Sequence, residues 1–469
     1  MAPAMMRSAL HPFDTGPVSS TTVTRRTKHQ ALGWFAWPLV LGLVSFLVLH
    51  PPSGAAGWRW WLSCLVGSLG GAFLVWRLRL ALRYRALGSV ADDELPFVTV
   101  VVPAYNEGSQ VGRTLDSIMA SDFPRYKLRV IAVNDGSADD TWEHIRAAVN
   151  RHPGRIEGVD CRCNRGKRHA LYAGIVRARG SVLVTIDSDS EIEVQTLRNL
   201  VSPFVVDPHV GAVAGNVRVL SRQHGALPRM LDVSFTYGFD FLRASQSEAG
   251  AVLCTPGALS AYRMDLVEGV LAEWVDQSFL GRPANIGEDR AMTNLILSGG
   301  WRVVFQRNAR VHTEVPSSFV PLCKMLLRWA RSNVRETLLM TSYVLRWARR
   351  RGPDGLTLNY LQQVSRLLLA ALLAGPGLWM LLTVPQLVVP LSLAGALLSA
   401  TLPALVYAWM RRDPRGALWA FAYAGYSLLG LGWIQLLALV TPHRSAWLTR
   451  QLPQSAEPAQ EPRVSMLEI

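Results

Sequence analysis

The sequence predicts an α/β domain with a mostly parallel sheet, joined to an α-helical transmembrane region and to interface helices that lie against the bilayer. Two observations support this prediction. Between about residues 90 and 315, β-branched runs alternate with stretches of helical periodicity, which is typical of a parallel sheet whose strands are connected by helices. Towards both ends of the 469-residue chain, apolar runs are long enough to cross a membrane.

Two apolar runs near the N-terminus predict a transmembrane hairpin over residues 31–85. They cover residues 31–49 and 60–76, and a short Pro- and Gly-containing turn separates them. A secretory signal peptide is the alternative for the first run, but that run is long and starts late. Basic residues flank the hairpin, which places residues 1–30 and its other end in the cytoplasm: Arg25, Arg26 and Lys28 precede it, and Arg77, Arg79, Arg83 and Arg85 follow it.

Four strands are predicted in the domain over residues 90–315, and three of them end in a polar cluster. The strands are expected within residues 97–108, 128–137, 181–190 and 210–220, with helices between the first three. In open parallel sheets, ligands bind beyond the carboxyl ends of the strands. We therefore expect one crevice to collect the three polar clusters, which are Tyr105–Glu107, Asn134–Gly136 and Asp187–Asp189.

The acidic stretch "TIDSDSEIE" (185–193) predicts a divalent metal site. Asp187 and Asp189 flank one residue, so in an extended segment their carboxylates point to the same side. Oxygen ligands suit Mg²⁺ or Mn²⁺, and Mg²⁺ is usually held by one or two carboxylates together with substrate phosphates. The alternative is a solvated turn with helix-capping Asp residues. The presence of Asp135 at another strand end favours the metal site.

Two further motifs carry side chains suited to group transfer. In "GEDRAMTN" (287–294), a buried Asp289 near a metal is a candidate general base, although the same residues also suit the start of a helix. Further along the chain, Arg328 offers a guanidinium group for phosphate, and Trp329 offers a ring on which a sugar can stack. The alternative for this pair is a simple anchor at the membrane interface.

The C-terminal part predicts interface helices and a transmembrane region. Residues 316–352 are rich in Arg and have apolar residues at three-to-four spacing, which is typical of helices in the membrane interface. A surface helix packed on the soluble domain is the alternative. The net charge of +14 suits a nucleic acid or a membrane surface, and its placement beside apolar runs favours the lipid bilayer and no nucleic acid. Within residues 364–440, candidate spans cover residues 366–384, 386–409 and 416–440.

Taken in order, the motifs resemble those of membrane-embedded family-2 glycosyltransferases. Six of them carry the likeness over about residues 95–345: "VVPAYNE", "VNDGSADDT", "GKRHAL", "TIDSDS", "GEDRAMTN" and "LLRWARSNVRE". The chain is most similar to hyaluronan synthases and to nodulation chitin-oligosaccharide synthases. Residues 242–263 also resemble the acceptor-side segment of those enzymes. "WLTR" (447–450) resembles a gating element near their C-termini, within a final segment, 441–469, whose tail is expected to be disordered.

The resemblance implies a GT-A-like catalytic domain, a UDP-sugar donor and bound Mg²⁺ or Mn²⁺. It implies that Asp187 and Asp189 hold the metal, and that Asp289 is the general base with Glu288 beside it as a second catalytic candidate. Met325 and Trp329 correspond to acceptor contacts. The implied nucleotide-sugar contacts are Ala104, Tyr105, Glu107, Asp135, Lys167, Arg168, Asp187, Arg328, Trp447 and Arg450.

The resemblance implies an inverting glycosyltransferase, and the apolar runs with their flanking basic residues predict an inner-membrane location with several spans and a cytoplasmic catalytic domain. One base, one metal and no second nucleophile suit a single in-line displacement, which converts an α-linked donor into a β-linkage. The expected donor is UDP-GlcNAc, alone or with UDP-glucuronate, and the expected acceptor is the growing polysaccharide that the enzyme exports. The alternatives are a lipid glycosyltransferase that adds one sugar, a cellulose-synthase-like β-glucan synthase, and a non-enzymatic transporter or receptor.

Two departures from the family pattern bear on these expectations. Met325 stands where the family has Gln, which removes a hydrogen-bonding side chain near the acceptor. In addition, two N-terminal and three C-terminal spans would leave "WLTR" outside the cell, away from the donor. Either one apolar run is re-entrant or interfacial, or the likeness of "WLTR" is accidental. The Gly- and aromatic-rich run 416–440 favours the first explanation.

Overall fold

A computed structural model describes residues 57–220, 222–351 and 354–444. The first predicted span and the "WLTR" element, with Trp447 and Arg450, lie outside the described residues. The chain divides into two compact units, Met1–Tyr84 and Arg85–Ile469. In the first unit, helix α1 (Gly57–Arg83) contains the whole of the second predicted N-terminal run.

The second unit is built on an eight-stranded sheet with the strand order β3-β2-β1-β4-β7-β6-β10-β5, and β8 and β9 form a separate two-stranded sheet. The strands are β1 (Val98–Ala104), β2 (Leu128–Asn134), β3 (Ile156–Asp160), β4 (Val182–Ile186), β5 (Ser190–Ile192), β6 (Val210–Val219), β7 (Leu259–Arg263), β8 (Ser278–Phe279), β9 (Arg282–Pro283) and β10 (Arg302–Thr313).

The large sheet is mostly parallel, as the sequence predicted. β1 pairs in parallel with β2 and β4, β2 pairs in parallel with β3, and β6 pairs in parallel with β10. β7 runs antiparallel to both β4 and β6, and β5 runs antiparallel to β10. Every residue of β1, β4 and β6 is buried. Burial on both faces explains why these strands read as continuous apolar runs.

Helices connect and cover these strands. They are α2 (Gln110–Met119), α3 (Thr141–Arg151), α4 (Lys167–Ile175), α5 (Thr196–Val206), α6 (Ala226–Thr236), α7 (Ala244–Glu248), α8 (Met264–Val275) and α9 (Glu288–Ser298). A turn of π-helix, Tyr237–Arg243, joins α6 to α7. The three helices predicted between the first strands correspond to α2, α3 and α4, so the alternating pattern is confirmed.

One long helix, α10 (Phe319–Arg351), replaces the several interface helices that the sequence predicted. One of its faces packs on α9 through buried polar groups: Asn294 Nδ2 of α9 donates to Glu336 Oε2 of α10 at 2.9 Å. Within α10, Arg335 Nε donates to the other oxygen of Glu336 at 2.9 Å. For this face of α10, the alternative prediction of a surface helix packed on the soluble domain is confirmed. Leu338 and Leu345 are exposed, and contact of α10 with a membrane stays a prediction.

Within the part of the chain that the structure describes, three helices are long and apolar enough to cross a membrane: α11 (Gly355–Thr383), α12 (Pro385–Arg411) and the run Gly416–Val440. α11 begins before the predicted span because Asp354 caps it, its side chain accepting from Thr357 N at 2.8 Å. The last run consists of a 3₁₀ turn, α13 (Trp419–Tyr426), a π turn and α14 (Gly432–Val440). Residues 416–440 therefore contain no chain reversal of the kind that a re-entrant loop needs.

Candidate active site

The carboxyl ends of β1, β2 and β4 meet at one cavity of about 310 Å³, which we call the donor cavity. Each of the three predicted polar clusters contributes to its lining, so the prediction of a single crevice is confirmed. Side chains from the start of α4 and from α10 complete the wall. The residues singled out by the sequence that line it are Ala104, Tyr105, Glu107, Asp135, Lys167, Asp187, Asp189, Met325 and Arg328.

Asp135, which directly follows β2, holds the loop that leads into α4. Its Oδ1 accepts from Arg165 N at 3.0 Å, and its Oδ2 accepts from Gly166 N at 2.9 Å. Burial raises the pKa of Asp135, and these two hydrogen bonds oppose that rise. Gly136 has a φ of +67°, and a Cβ there would lie 2.6 Å from Asn164 N. Asp135 therefore positions this loop as well as lining the cavity.

Lys167, the first residue of α4, is an ammonium group shared between two carboxylates. Its Nζ lies 2.5 Å from Asp187 Oδ1 and 2.9 Å from Glu288 Oε1. Burial would lower the pKa of Lys167, but the charges of Asp187 and Glu288 raise it. Burial would likewise raise the pKa of Glu288, but Lys167 lowers it to about 2. Lys167 therefore favours the ionised form of Glu288.

Asp189 concentrates negative charge at the same place. Its Oδ1 accepts from Ser190 Oγ at 3.1 Å and from Thr313 Oγ1 at 3.3 Å. Burial, followed by the charges of Asp187 and Glu107, raises the pKa of Asp189 to about 6. In the described parts of the chain, no group of three His, Cys, Asp or Glu side chains is placed to hold a metal alone. The carboxylates of Asp187 and Asp189 fit a divalent cation whose other ligands would come from substrate phosphates.

Asp289, in the first turn of α9, is half-buried and held in a fixed orientation. Its Oδ1 accepts from Arg290 N at 2.7 Å, and its Oδ2 accepts from Gly257 N at 3.1 Å. The Cys254 thiol donates to Oδ2 at 3.8 Å. Burial, followed by the charge of Glu288, raises the pKa of Asp289. The result is a carboxylate more basic than usual whose neighbours prevent it from turning.

A second cavity of about 600 Å³, which we call the acceptor chamber, shares part of its wall with the donor cavity. It extends past Asp289 and Trp329 to Gln363 and Arg366 on α11. Trp329 is 45% exposed, and its ring centroid lies 6.2 Å from that of Phe235. The residues common to both cavities are Lys167, Asp187, Asp189, Glu314, Met325 and Arg328.

Arg168 corrects one expectation from the sequence. Its guanidinium group does not line the donor cavity. Instead, Nη1 donates to the carbonyl oxygen of Trp274, Nη2 donates to Gln277 Oε1 at 3.0 Å, and the group lies 5.2 Å from the centroid of the Trp274 ring. Arg168 therefore ties α4 to the end of α8, and it is not placed to contact phosphate.

Four residues of the site were not predicted from the sequence. Cys254 and Gly257 lie in the segment that resembled the acceptor side, but no residue of that segment was assigned. Gly257 has a specific role, because a Cβ there would lie 2.7 Å from Lys167 Nζ. Thr313 and Glu314 come at the end of β10, a strand that was not predicted. The signal for Gly257 was the motif "CTPGAL" (254–259), in which Gly follows Pro beside a strand.

The fold is similar to that of a solved mannosyltransferase of Pyrobaculum calidifontis, determined in complex with GDP-mannose and Mn²⁺. The TM-score is 0.51 at 24% sequence identity, covering 78% of this chain and 96% of that one. At this level of identity the likeness concerns the fold alone. The domain over β1–β10 therefore has the GT-A-like architecture, with a mostly parallel mixed sheet.

Two relatives found by sequence comparison are more similar to this chain than the mannosyltransferase is. An N-acetylglucosaminyltransferase of Azorhizobium caulinodans is 34% identical over 257 residues, covering 54% of this chain and 64% of the relative. A hyaluronan synthase of Streptococcus pyogenes is 33% identical over 278 residues, covering 58% and 65%. The chain thus spans less than two thirds of the length of these curated relatives. The model of the glycosyltransferase-like family 2 matches residues 96–332, about half of the chain, and the chain belongs to that family.

Proposed function

We propose that this protein is an inverting membrane glycosyltransferase that uses a UDP-sugar, with UDP-GlcNAc as the first candidate, to build a β-linked polysaccharide. One observation carries the proposal. The donor cavity and the acceptor chamber meet at Asp187, Asp189 and Arg328, and Asp289 lines the chamber beside that junction. A diphosphate leaving group and an attacking hydroxyl would be brought together there.

The donor side is suited to a nucleoside diphosphate. Asp187 and Asp189 would hold a Mg²⁺ or Mn²⁺ ion, whose charge offsets that of the leaving diphosphate. Lys167, at the start of α4, and Arg328, on α10, line the cavity and supply further positive charge. Asp135 keeps the loop before α4 in place, and Ala104 and Tyr105 line the nucleoside side. The mannosyltransferase with bound Mn²⁺ gives support from fold only.

Asp289 is proposed as the general base. It would accept the proton of the acceptor hydroxyl during attack on the anomeric carbon, while the bond to the diphosphate breaks. The backbone N–H groups of Gly257 and Arg290 fix the orientation of its carboxylate. Its raised pKa brings it nearer to neutral pH, where a general base is most effective. Glu288, bound to Lys167, would act by orientation and charge balance.

The acceptor chamber supports a sugar chain as the substrate that receives the new residue. Trp329 presents a partly exposed ring, against which the apolar face of a sugar can stack. Because the chamber reaches α11, a candidate membrane span, the chain would leave towards the bilayer. This geometry supports a cytoplasmic catalytic domain and an inner-membrane location with several spans, in line with the basic residues that flank the N-terminal hairpin.

A single-sugar lipid glycosyltransferase is the second candidate, and Met325 favours it. Met325 is 8% exposed and lies in an apolar cluster with Leu431 and Ile434. At this position the acceptor chamber has a thioether, which cannot donate a hydrogen bond to a sugar chain. A chain held less firmly would favour transfer of a single sugar.

Product analysis tests the proposal. UDP release is measured with each UDP-sugar and with pairs of them, and the products are then sized for the native chain and for Met325→Gln. We expect polymer from the native chain and longer polymer from the variant. Leu326→Met, a change beside the same chamber that adds no hydrogen-bonding group, is the matched control. One sugar on a lipid from both chains would decide for the second candidate, and no UDP release with any donor would remove both.

A further inference from the structure

A third cavity, which we call the basic cavity, lies outside the donor cavity and the acceptor chamber. It measures about 430 Å³ and shares no lining residue with either of them. It is formed where β6 and β10 end and where α6 faces the end of α12. Its charged and titratable lining residues are Arg218, Arg222, His224, Asp232, His312 and Arg411.

Arg218 is buried in this wall with unused hydrogen-bonding capacity. It is only 6% exposed, and its Nη2 lies 3.0 Å from Asp240 Oδ2. Its Nε and Nη1 are buried without a hydrogen-bond partner. Burial lowers the pKa of Arg218 to about 10; the charge of Asp240 opposes this change, and that of Arg411 adds to it. A buried donor without an acceptor is costly, so an acceptor that enters the cavity would stabilise the fold.

The acidic residue of the basic cavity is already engaged by other groups. Asp232 Oδ1 accepts from Arg411 Nη2 at 2.7 Å, and Asp232 Oδ2 accepts from the hydroxyl of Tyr407 at 2.8 Å. Arg222, whose side chain is 49% exposed, reaches this carboxylate only at 3.9 Å. Asp232 therefore balances Arg411 and leaves Arg222 with little compensation.

Guanidinium groups outnumber carboxylates around the basic cavity. Asp240 is shared by Arg218 and Arg307, the second at 3.3 Å. The guanidinium groups that line the cavity are those of Arg218, Arg222 and Arg411, and the carboxylates that face them are Asp232 and Asp240, so positive charge is in excess. His312 also lines the cavity and bonds to Glu193 at 3.0 Å.

We propose that the basic cavity binds a phosphate group. Phosphate oxygens accept hydrogen bonds from several guanidinium groups at once, which matches the unpartnered donors of Arg218 and the half-exposed guanidinium group of Arg222. The phosphate can belong to the head group of an anionic phospholipid or to a soluble compound. Arg411 is the last residue of α12, a candidate span, so the cavity lies where a lipid phosphate would be available.

The first test titrates inorganic phosphate into the full chain in a non-ionic detergent and follows the Tm. Phosphate should raise the Tm saturably. Arg222→Gln and Arg218→Gln should each weaken this binding by about tenfold or more, the usual effect of losing a charge-assisted hydrogen bond. Arg222 is half exposed, so its variant keeps the test valid even if Arg218→Gln does not fold.

Two controls separate this site from other cationic surfaces. Arg415→Gln removes an exposed charge near the same helix end but outside the cavity, and Arg328→Gln removes a charge from the donor cavity. Both should retain the phosphate effect. The proposal is overturned if phosphate does not stabilise the chain, if Arg222→Gln responds like the native chain, or if only Arg328→Gln loses the response.

The second test identifies the source of the phosphate. The chain is placed in nanodiscs of phosphatidylcholine, with or without phosphatidylglycerol. If a lipid is the ligand, phosphatidylglycerol should raise the Tm of the native chain but not of Arg222→Gln, and added inorganic phosphate should have no further effect. If the ligand is soluble, inorganic phosphate should still stabilise the native chain in both kinds of nanodisc. A phosphatidylglycerol effect of equal size in Arg222→Gln would eliminate the lipid source.

Discussion

Replacement of Asp289 by Asn is the sharpest test of the proposed base. The change keeps the shape of the side chain but removes its ability to accept a proton. Loss of a general base slows transfer by roughly 10²–10⁴-fold, which corresponds to about 3–5 kcal/mol in the barrier. UDP affinity should change little, because Asp289 does not line the donor cavity.

The structure also sets the expected cost in stability. Both carboxylate oxygens accept a backbone N–H, from Arg290 and from Gly257. An amide has one oxygen, so in Asp289→Asn one of these N–H groups would face an NH₂ group. Such an unsatisfied buried donor costs about 1–3 kcal/mol, which should lower the Tm by several degrees without unfolding the protein.

The assay is UDP release at saturating donor, combined with calorimetric titration of UDP and a thermal scan. Glu268→Gln, an exposed change on α8, is the matched control and should behave like the native chain. If Asp289→Asn loses UDP affinity while its turnover remains normal, the residue is a nucleotide ligand and not the base.

Three other outcomes are expected. EDTA should abolish turnover and Mn²⁺ or Mg²⁺ should restore it, measured by UDP release; full activity in chelator would contradict a metal at Asp187 and Asp189. Because burial and Glu288 raise the pKa of Asp289, the base should be lost by protonation as the pH falls through a value above about 4, the ordinary pKa of Asp. A pH profile of kcat/KM that stays flat below pH 5 would argue against this. Trp329→Ala should lower transfer to a sugar acceptor by about tenfold or less, with UDP affinity unchanged. An equal effect from Trp409→Ala, an exposed Trp outside the cavities, would deny the ring a specific role.

The sequence identified the strand-end residues well because their signal is local. A continuous apolar run that stops at a polar residue defines both a buried strand and its end, and parallel pairing then brings Ala104, Asp135 and Asp187 to one edge. No knowledge of distant contacts was needed for this step. The pattern of strands does not predict distances between side chains, and it does not reveal that Lys167 bridges Asp187 and Glu288.

The failures of sequence reasoning have physical causes. Arg168 follows Lys167 on α4 and projects about 100° away from it around the helix. Its guanidinium group finds its partners, Trp274 and Gln277, about a hundred residues further along the chain, and no local pattern reveals them. Strand β10 escaped prediction because charged residues interrupt its apolar pattern, and its pairing with β6 shifts register between Phe305 and Arg310. Thr313 and Glu314 at its end were therefore missed as well.

The polar packing of α10 on α9 has a consequence for modularity in this group of enzymes. The helix that leads into the candidate membrane spans carries Arg328 and Trp329 into the cavities. Its Glu336 is bonded to Asn294, on the helix that begins with Glu288 and Asp289. A fragment cut after β10 would lack α10, and with it one wall of the donor cavity and one wall of the acceptor chamber. It would also expose Asn294, the buried partner of the Glu336 carboxylate. The GT-A-like domain and α10 are therefore a single structural module. A graft between two such enzymes would have to exchange them together, with its junction placed beyond Arg351.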